Sequence, residues 1–549
     1  MRVADFFCGA GGFSEGFRQA GFEIIFAVDK WLPAVNTFKA NKPTCRVIQD
    51  DVVRISKLPD DEFHALVPDT EVIIGSPPCI AFSSSNKSGK GDKTLGVELL
   101  KAYFRVVARK KFKKKSVLRY WVLENVPNIK KYVQETYSAN DLGLEGDFYL
   151  TVVNKSTGVY NAKYFGAPTN RKRFLCGDFP RLQMIKSDEN VMPLGVVLNS
   201  LGEPCNNDTK IIQDCNYPTL QLSQDDLTDH HYLYMLQPFE WKKAKRLKED
   251  RGYMGKMSFP ENLDNPARTV MATMSSSSRE SMILSTSREG YRLPTVREAA
   301  TMMSFPIDYR FYGNSKGVKH TLVGNAVPPK LSYAIAKAIL MDVNNPTVAK
   351  YSPIQHDETI PFLNLNYTNF TPKIEQTKRD ISKFKYHVPY MLINSYRVEL
   401  TNYHSDFEKK KFKWNAEIHF GQGKDKAKIY TPAKIGKCIP EDVKFKTNVY
   451  IKQMRPHLAS FNELQKIFCM TDDERITKRL VGPFELLDFI KKCLTDMIPV
   501  KEWDNPIKIS RDLFNVPKAI VIGYYIITEL IDEMGGIRDK QRYKKIINK

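Results

Sequence analysis

Hydrophobic positions in the first 180 residues fall into short runs separated by amphipathic stretches, a pattern that predicts βαβ units around a parallel sheet. The runs Val3–Phe7, Ile24–Val28, Val72–Ile74 and Trp121–Leu123 read as strands. Between the first two, Phe13, Phe17 and Ala20 share one helical face, and Gly21 follows where a helix C-cap belongs. The periodicity weakens over 181–290, where polar, Ser-rich and Asn/Asp-rich pieces dominate. It returns at 292–342, with a helical run Val296–Met303 and another after Pro329. Asp342–Asn345 followed by Pro346 reads as a boundary. The remaining residues, 346–549, are Lys-rich and aromatic and contain no internal repeat. Their most apolar stretch, Ala519–Ile527, falls well short of the roughly 18 residues of a membrane span.

A hydrophobic fraction of 42% is ample for packed cores and argues against disorder. The formal charge of +21 changes the picture more, because a globular chain with that excess usually has an anionic partner. The tail carries roughly +11 of it. Nine cysteines without a CxxC pair fit neither a disulfide framework nor a zinc site, so reduced thiols and no metal are expected. The N-terminus opens directly into a strand-like run with no signal peptide, which predicts a cytoplasmic location.

Three strand ends carry candidate chemistry. Asp5-Phe6-Phe7-Cys8-Gly9-Ala10-Gly11-Gly12 leaves a strand and opens a helix, where glycines admit a close ligand and unpaired N–H groups face it. Asp29 ends the next strand, the place from which an acid binds ribose hydroxyls. Ser76-Pro77-Pro78-Cys79 sets a thiol just past the carboxyl end of a buried strand, the ligand-binding edge of open α/β sheets. The polar loop 82–89 that follows has the composition of a lid. Trp121-Val122-Leu123-Glu124-Asn125-Val126-Pro127 repeats the arrangement one strand on; a carboxyl buried there can donate a proton or hydrogen bond at neutral pH.

These segments resemble, in order, the motifs of the DNA cytosine-C5 methyltransferases of bacterial restriction-modification type. DFFCGAGG resembles the cofactor motif, PPC the nucleophile motif and ENV the glutamate motif. Residues 165–173 (FGAPTNRKR) resemble the QxRxR motif, 292–306 (RLPTVREAATMMSFP) the helix that scaffolds the recognition region, and 323–329 (VGNAVPP) the last motif. The resemblance covers about residues 1–340. It implies an α/β, doubly wound, Rossmann-like S-adenosylmethionine-dependent methyltransferase domain with a smaller irregular target-recognition domain. A mixed α/β C-terminal domain of unknown fold follows. On this reading 1–180 is the catalytic and cofactor-binding domain, 181–290 the recognition region, 291–345 a return to the catalytic domain and 346–549 an accessory domain.

The resemblance also assigns roles. Cys79 is the nucleophile on cytosine C6, Glu124 engages N3, Arg173 the base O2, and Arg171 supports Glu124 or the phosphates. Phe7, Gly9, Gly11, Gly12, Asp29, Asp51, Pro78, Asn325 and Val327 match cofactor positions. Ser85 is placed to enter the space left by a flipped base. Arg268, Thr269 and Arg279 fall in the closing segment of the recognition region and are expected to contact double-stranded DNA. The family further implies a cognate restriction endonuclease encoded separately, in a bacterial or phage setting. Three positions depart from the pattern: Lys30 stands where an apolar residue is common, Ile80 where a glutamine follows the nucleophile, and Thr169 where a glutamine opens QxRxR.

Two rival readings share the motifs. A tRNA cytosine methyltransferase has a short recognition region and a Cys-Phe-Thr element, whereas this recognition region is over a hundred residues long and no Cys-Phe-Thr occurs. A silent DNA-binding relative would not need Cys79, Glu124 and Arg173 together. In the tail, Lys409-Lys410-Lys411-Phe412-Lys413-Trp414 mixes cations with aromatics in a way suited to gripping DNA. Glu408-Lys409-Lys410 is an ExK string, but no Pro-Asp pair accompanies it, so an accessory domain is expected rather than a fused nuclease. The basic stretch Arg109–Lys115 reads as a solvated helix face.

Overall fold

The computed structural model describes all residues except 79–92, 205–209, 232, 250–256, 288–289, 346–350, 368–371, 422–426, 511–512, 514 and 538–549. Two compact units divide the chain: residues 1–236 with 260–372, and 237–259 with 373–549.

The first unit is built on seven strands: β1 Arg2–Phe6, β2 Glu23–Asp29, β3 Arg46–Gln49, β4 Val72–Gly75, β5 Tyr120–Asn125, β6 Gly158–Asn161 and β7 Lys172–Asp178. Their order is β3-β2-β1-β4-β5-β7-β6. The first five run parallel, and β7 pairs antiparallel with both β5 and β6. Period-two alternation sends successive side chains to two separate cores. Val72, Ile74, Tyr120 and Val122 join Phe13 and Phe17 of α1 (Gly12–Gln19) on one face. Ile73, Trp121 and Leu123 join Tyr103, Phe104 and Val107 of α3 (Lys93–Lys111) on the other, α2 being Leu32–Asn41. Helices therefore cover both faces of a mixed, mostly parallel sheet, the Rossmann-like arrangement.

The four strand runs read from the sequence all form strands. Gly21 follows α1 at φ +87°, its N–H donating to the Arg18 carbonyl at 2.9 Å. The basic stretch at the end of α3 behaves differently from the expectation of a solvated face. Arg109 and Lys110 are buried, Arg109 donating to Asp60 at 2.5 Å and Lys110 to Asp69 at 3.0 Å, while Phe63 lies 4.0 Å beneath the Arg109 guanidinium. Acids on 60–69, outside the local sequence window, pull these cations inward.

A third core gathers around α4 (Val296–Met302), with α5 (Lys316–Asn325) and residues from 194–222, 267–284 and 305–311. Arg292 and Glu298 pair at 2.7 Å through both oxygens, and Thr295 with Glu298 closes a capping box at the start of α4. The chain then returns as α6 (Pro329–Asp342), which packs along α1.

The second unit contains an antiparallel sheet, β8 Lys385–His387, β9 Tyr396–Thr401, β10 Asn415–Phe420 and β11 Lys428–Tyr430. Its apolar face (Val398, Leu400, Ala416, Ile418) shares a core with α7 Glu441–Met454, α8 Pro483–Met497 and α9 Lys518–Gly535. The run Ala519–Ile527 lies within α9, and no helix among the described residues is long and apolar enough to cross a membrane. Residues 237–259 belong here rather than with the rest of 181–290: Arg246 pairs with Asp488 at 2.6 Å and lies 4.6 Å over Phe484. Residues 351–367 belong to the first unit, where the buried Asp229 accepts the Leu365 N–H at 3.0 Å. Trp414, expected among DNA-gripping residues, is wholly buried in the second unit's core; its neighbours Lys409, Lys410 and Lys411 are exposed.

The contact of α1 with α6 depends on two glycines. A Cβ on Gly12 would press on the Val327 carbonyl oxygen, and one on Gly16 on the Pro329 carbonyl and the Tyr333 nitrogen. Gly16→Ala is therefore expected to destabilise the first unit by about 1–3 kcal/mol. A thermal melt with an unshifted midpoint would show that this contact yields easily.

Candidate functional site

The carboxyl ends of β4 and β5 lie side by side, Gly75 opposite Leu123, so that the next residues, Ser76 and Glu124, emerge together. Ser76 Oγ donates to Glu124 Oε2 at 2.5 Å, and Asn125 Nδ2 donates to the Pro77 carbonyl at 3.0 Å. The other neighbour of β5 completes the arrangement. Leu175 of β7 faces Glu124, and Arg173, two residues away on the same face, brings its Nε to 2.8 Å from Glu124 Oε1. Glu124 is 3% exposed, and each of its oxygens has a partner. The sequence motifs signal Glu124 and Arg173; Ser76 carries no motif signal beyond its place before the prolines. The described chain stops at Pro78, which is exposed; Cys79, Ile80 and Ser85 lie outside the described residues.

The two arginines have different partners in the structure. Arg173, expected at the base O2, is the one beside Glu124. Arg171 is buried, its Nη1 donating to the Val270 carbonyl at 3.0 Å and its Nη2 to those of Gly324 and Ala326 at 2.8 and 3.1 Å. Arg171 precedes β7 and lies beyond the end of β5, where the 270 and 324–326 segments converge. A guanidinium buried there needs carbonyl acceptors.

At the other end of the sheet edge, the Gly9 N–H donates to Asp29 Oδ2 and the Trp31 N–H to Oδ1, both at 2.9 Å. Burial pushes the Asp29 carboxyl up, against the pull of these bonds. Gly9 has φ +52° with open space where a Cβ would stand, and Phe7, half-buried, has φ +56°, a strained value for a non-glycine residue. The turn thus leaves a backbone-lined cradle above the half-buried Asp29 carboxylate. Gly11 is closed against Phe38 and Tyr309, Val327 is buried and Asn325 is exposed. Asp51 caps the short helix Val52–Ser56 through Oδ1 (Val53 N–H, 2.8 Å) and pairs with Lys30 Nζ through Oδ2 at 2.9 Å. Lys30, 79% exposed at its side chain, is in that place to meet Asp51 rather than to pack.

Comparison with known proteins decides the family. The profile of the C-5 cytosine-specific DNA methylase family matches residues 1–341. The chain belongs to that family. It is a DNA cytosine-C5 methyltransferase. The type II methyltransferase M.HgiDI of Herpetosiphon aurantiacus is 29% identical over 361 residues, covering 64% of this chain and 98% of that protein. M.MthTI of Methanothermobacter thermautotrophicus is 28% identical over 363 residues, covering 62% and 98%. Among solved structures, the Dnmt2 methyltransferase of S. pombe is 17% identical and covers 63% of this chain and 99% of its own, at a TM-score of 0.42.

In the methyltransferase the segment expected to face DNA is stitched to the start of β7. Ala267–Arg268 pairs in parallel with Thr169–Asn170. Thr169 Oγ1 donates to the Arg268 carbonyl at 3.1 Å and Thr269 Oγ1 to the Asn170 carbonyl at 2.8 Å. Thr169, the departure from QxRxR, is buried and closes this seam. The Arg268 side chain pairs with the buried Glu261 at 2.7 Å, and Arg279 is half-buried.

Asp5 is a further residue that the glycine motif conceals. It lies mid-strand in β1, fully buried, accepting from Ser14 Oγ at 2.5 Å through Oδ2 while Oδ1 has no hydrogen-bond partner. Burial pushes its carboxyl from 3.8 up to about 7, the Ser14 bond pulling the other way. A group raised on folding stabilises fully below its unfolded value and loses that contribution as pH rises through the folded one. Between pH 5 and 8 the methyltransferase should therefore lose stability relative to its Asp5→Asn variant. Denaturation midpoints that move in parallel would assign this titration elsewhere.

Proposed function

We propose that the enzyme transfers a methyl group from S-adenosylmethionine to C5 of a cytosine flipped out of a specific double-stranded DNA sequence. The observation that carries this reading is the buried Glu124, held between Ser76 and Arg173 at the strand end next to the one that leads into Cys79. Cytosine C5 is a poor nucleophile. Addition of the Cys79 thiolate to C6, with Glu124 on N3, makes C5 enamine-like. Arg173 orients Glu124 for that contact. C5 then takes the methyl group, and loss of the C5 proton to a base with expulsion of the Cys79 thiolate restores the aromatic ring. The target C6 is hidden in a duplex, so flipping precedes addition at a cost of a few kcal/mol, with Ser85 entering the vacated space.

The cradle at Gly9 above Asp29 fits a nucleoside cofactor: Asp29 would hold the ribose hydroxyls, Phe7 the adenine face and Asp51 the adenine amino group, with Gly11, Gly12, Pro78, Asn325 and Val327 around it. S-adenosylmethionine supplies a sulfonium methyl that carbon nucleophiles attack. Arg268, Thr269 and Arg279 would act at the DNA face, and Arg171 by fastening the segment that carries them. We read the enzyme as cytoplasmic, and the type II names of the relatives favour a role beside a separately encoded endonuclease.

Covalent trapping on duplexes containing 5-fluorocytosine tests this reading. The unaltered protein should form an adduct and Cys79→Ala none; absence of an adduct on every duplex offered, with an adduct on RNA instead, would move the substrate class. Glu124→Gln should lower kcat by about 10²–10⁴-fold, and Ser76→Ala by a smaller factor of about ten. An unchanged rate in Glu124→Gln would remove Glu124 from the mechanism. Bisulfite sequencing of DNA from expressing cells would give the recognised sequence.

A further inference from the structure

The sheet of the second unit has an apolar face against α9, and its other face carries ionisable residues that are nonetheless buried. Glu399 of β9 lies directly opposite Glu417 of β10, and Arg397 opposite His419. Glu399, Glu417 and His419 are exposed by 6%, 3% and 2%. Two carboxylates facing each other across a strand pair repel unless a cation stands between them.

The far oxygen of each carboxylate is anchored. Arg397 Nε holds Glu399 Oε1 at 2.6 Å, and His404 Nε2 lies 2.8 Å from Glu417 Oε1. The near oxygens turn towards one point. His419 Nε2 is 2.8 Å from Glu417 Oε2 and 3.2 Å from Glu399 Oε2, and that buried Glu399 oxygen makes no hydrogen bond. A cation bound at about 2.1 Å separates its ligand atoms by about 3.0–3.4 Å, close to this spacing. Lys385 Nζ is the charge now near the point, 3.0 Å from Glu417 Oε2 and 3.7 Å from Glu399 Oε2, on a side chain that is 26% exposed.

We propose that Glu399, Glu417 and His419 form a site for one divalent first-row transition cation, with Lys385 occupying it when the metal is absent. One imidazole and two carboxylates suit manganese or zinc better than magnesium or calcium, and three protein ligands leave a coordination position open. Arg397 and His404 are the anchors that fix the ligating oxygens. The proposal is independent of the methyl-transfer reading, because all six residues belong to the second unit.

The test uses the full chain, stripped with chelator and titrated with Mn²⁺ alone, free Mn²⁺ being read by electron paramagnetic resonance. Manganese is the probe because the nine cysteines would compete for zinc. One saturable site per chain is expected. Glu417→Gln and His419→Ala should each weaken it at least about tenfold. Lys385→Met should tighten it several-fold, a gain that a misfolded variant would not give. Glu408→Gln, in the exposed ExK string, should change nothing. Absence of a saturable site, or a site unaffected by both Glu399→Gln/Glu417→Gln and Lys385→Met, would overturn the assignment and leave a buried ion-pair network.

Discussion

A carboxylate buried at the end of a strand is stable only if each oxygen has a partner, and the first unit is arranged to meet that condition at Glu124. One partner, Ser76, comes from β4 and the other, Arg173, from β7. Both can reach Glu124 only because β5 lies between those two strands. The parallel register on one side delivers the next residue of β4, while the antiparallel register on the other delivers a diagonal neighbour. A slip of one residue in either pairing would turn a partner to the opposite face. Sheet order and register are thus conditions on the chemistry as much as on the fold.

The same strand end reaches into the rest of the unit. Arg171 and Arg173 are two residues apart: one meets the carboxylate and the other gathers carbonyls from 270, 324 and 326. Hydrogen bonds from a charged donor contribute about 1.5–3 kcal/mol each, and leaving a buried guanidinium without them costs more. The closing segment at 267–270 is held by that cost as well as by the two-residue pairing with Thr169–Asn170. A polar seam of this kind fixes position more narrowly than apolar packing does, since hydrogen-bond partners are specific and apolar contacts are not.

The central strands were legible because each is a continuous apolar run buried on both sides, and the motifs were legible because they follow those strands. What escaped the sequence depends on distant partners. Arg109 and Lys110 look like surface charge until Asp60, Asp69 and Phe63 are packed against them. Trp414 stands in a basic string, yet strand alternation turns it into the core, its indole N–H donating to the Phe461 carbonyl at 3.2 Å. The division of labour between Arg171 and Arg173 follows from strand register, which a motif does not encode. The helix Pro238–Glu249 is amphipathic and lysine-rich, and nothing local to it names Asp488 and Phe484 as partners.

The glycine turn at the cofactor end illustrates how far such dependence extends. Its Ala10 carbonyl accepts from the Tyr309 hydroxyl at 2.5 Å, and Tyr309 in turn accepts from Lys42 at 3.2 Å. Lys42 is paired at 3.2 Å with Glu15 of α1. Burial alone would push Glu15 up, yet Arg18 and Lys42 hold its carboxyl down to about 2, so the charge persists in the interior. Helix α1 is fixed on its other side by the close approach of Gly12 and Gly16 to residues 327–333. The turn read from residues 5–12 is therefore held in shape by groups three hundred positions away. A motif at the N-terminus of this chain can take its working geometry only once the returning segment has been laid beside it.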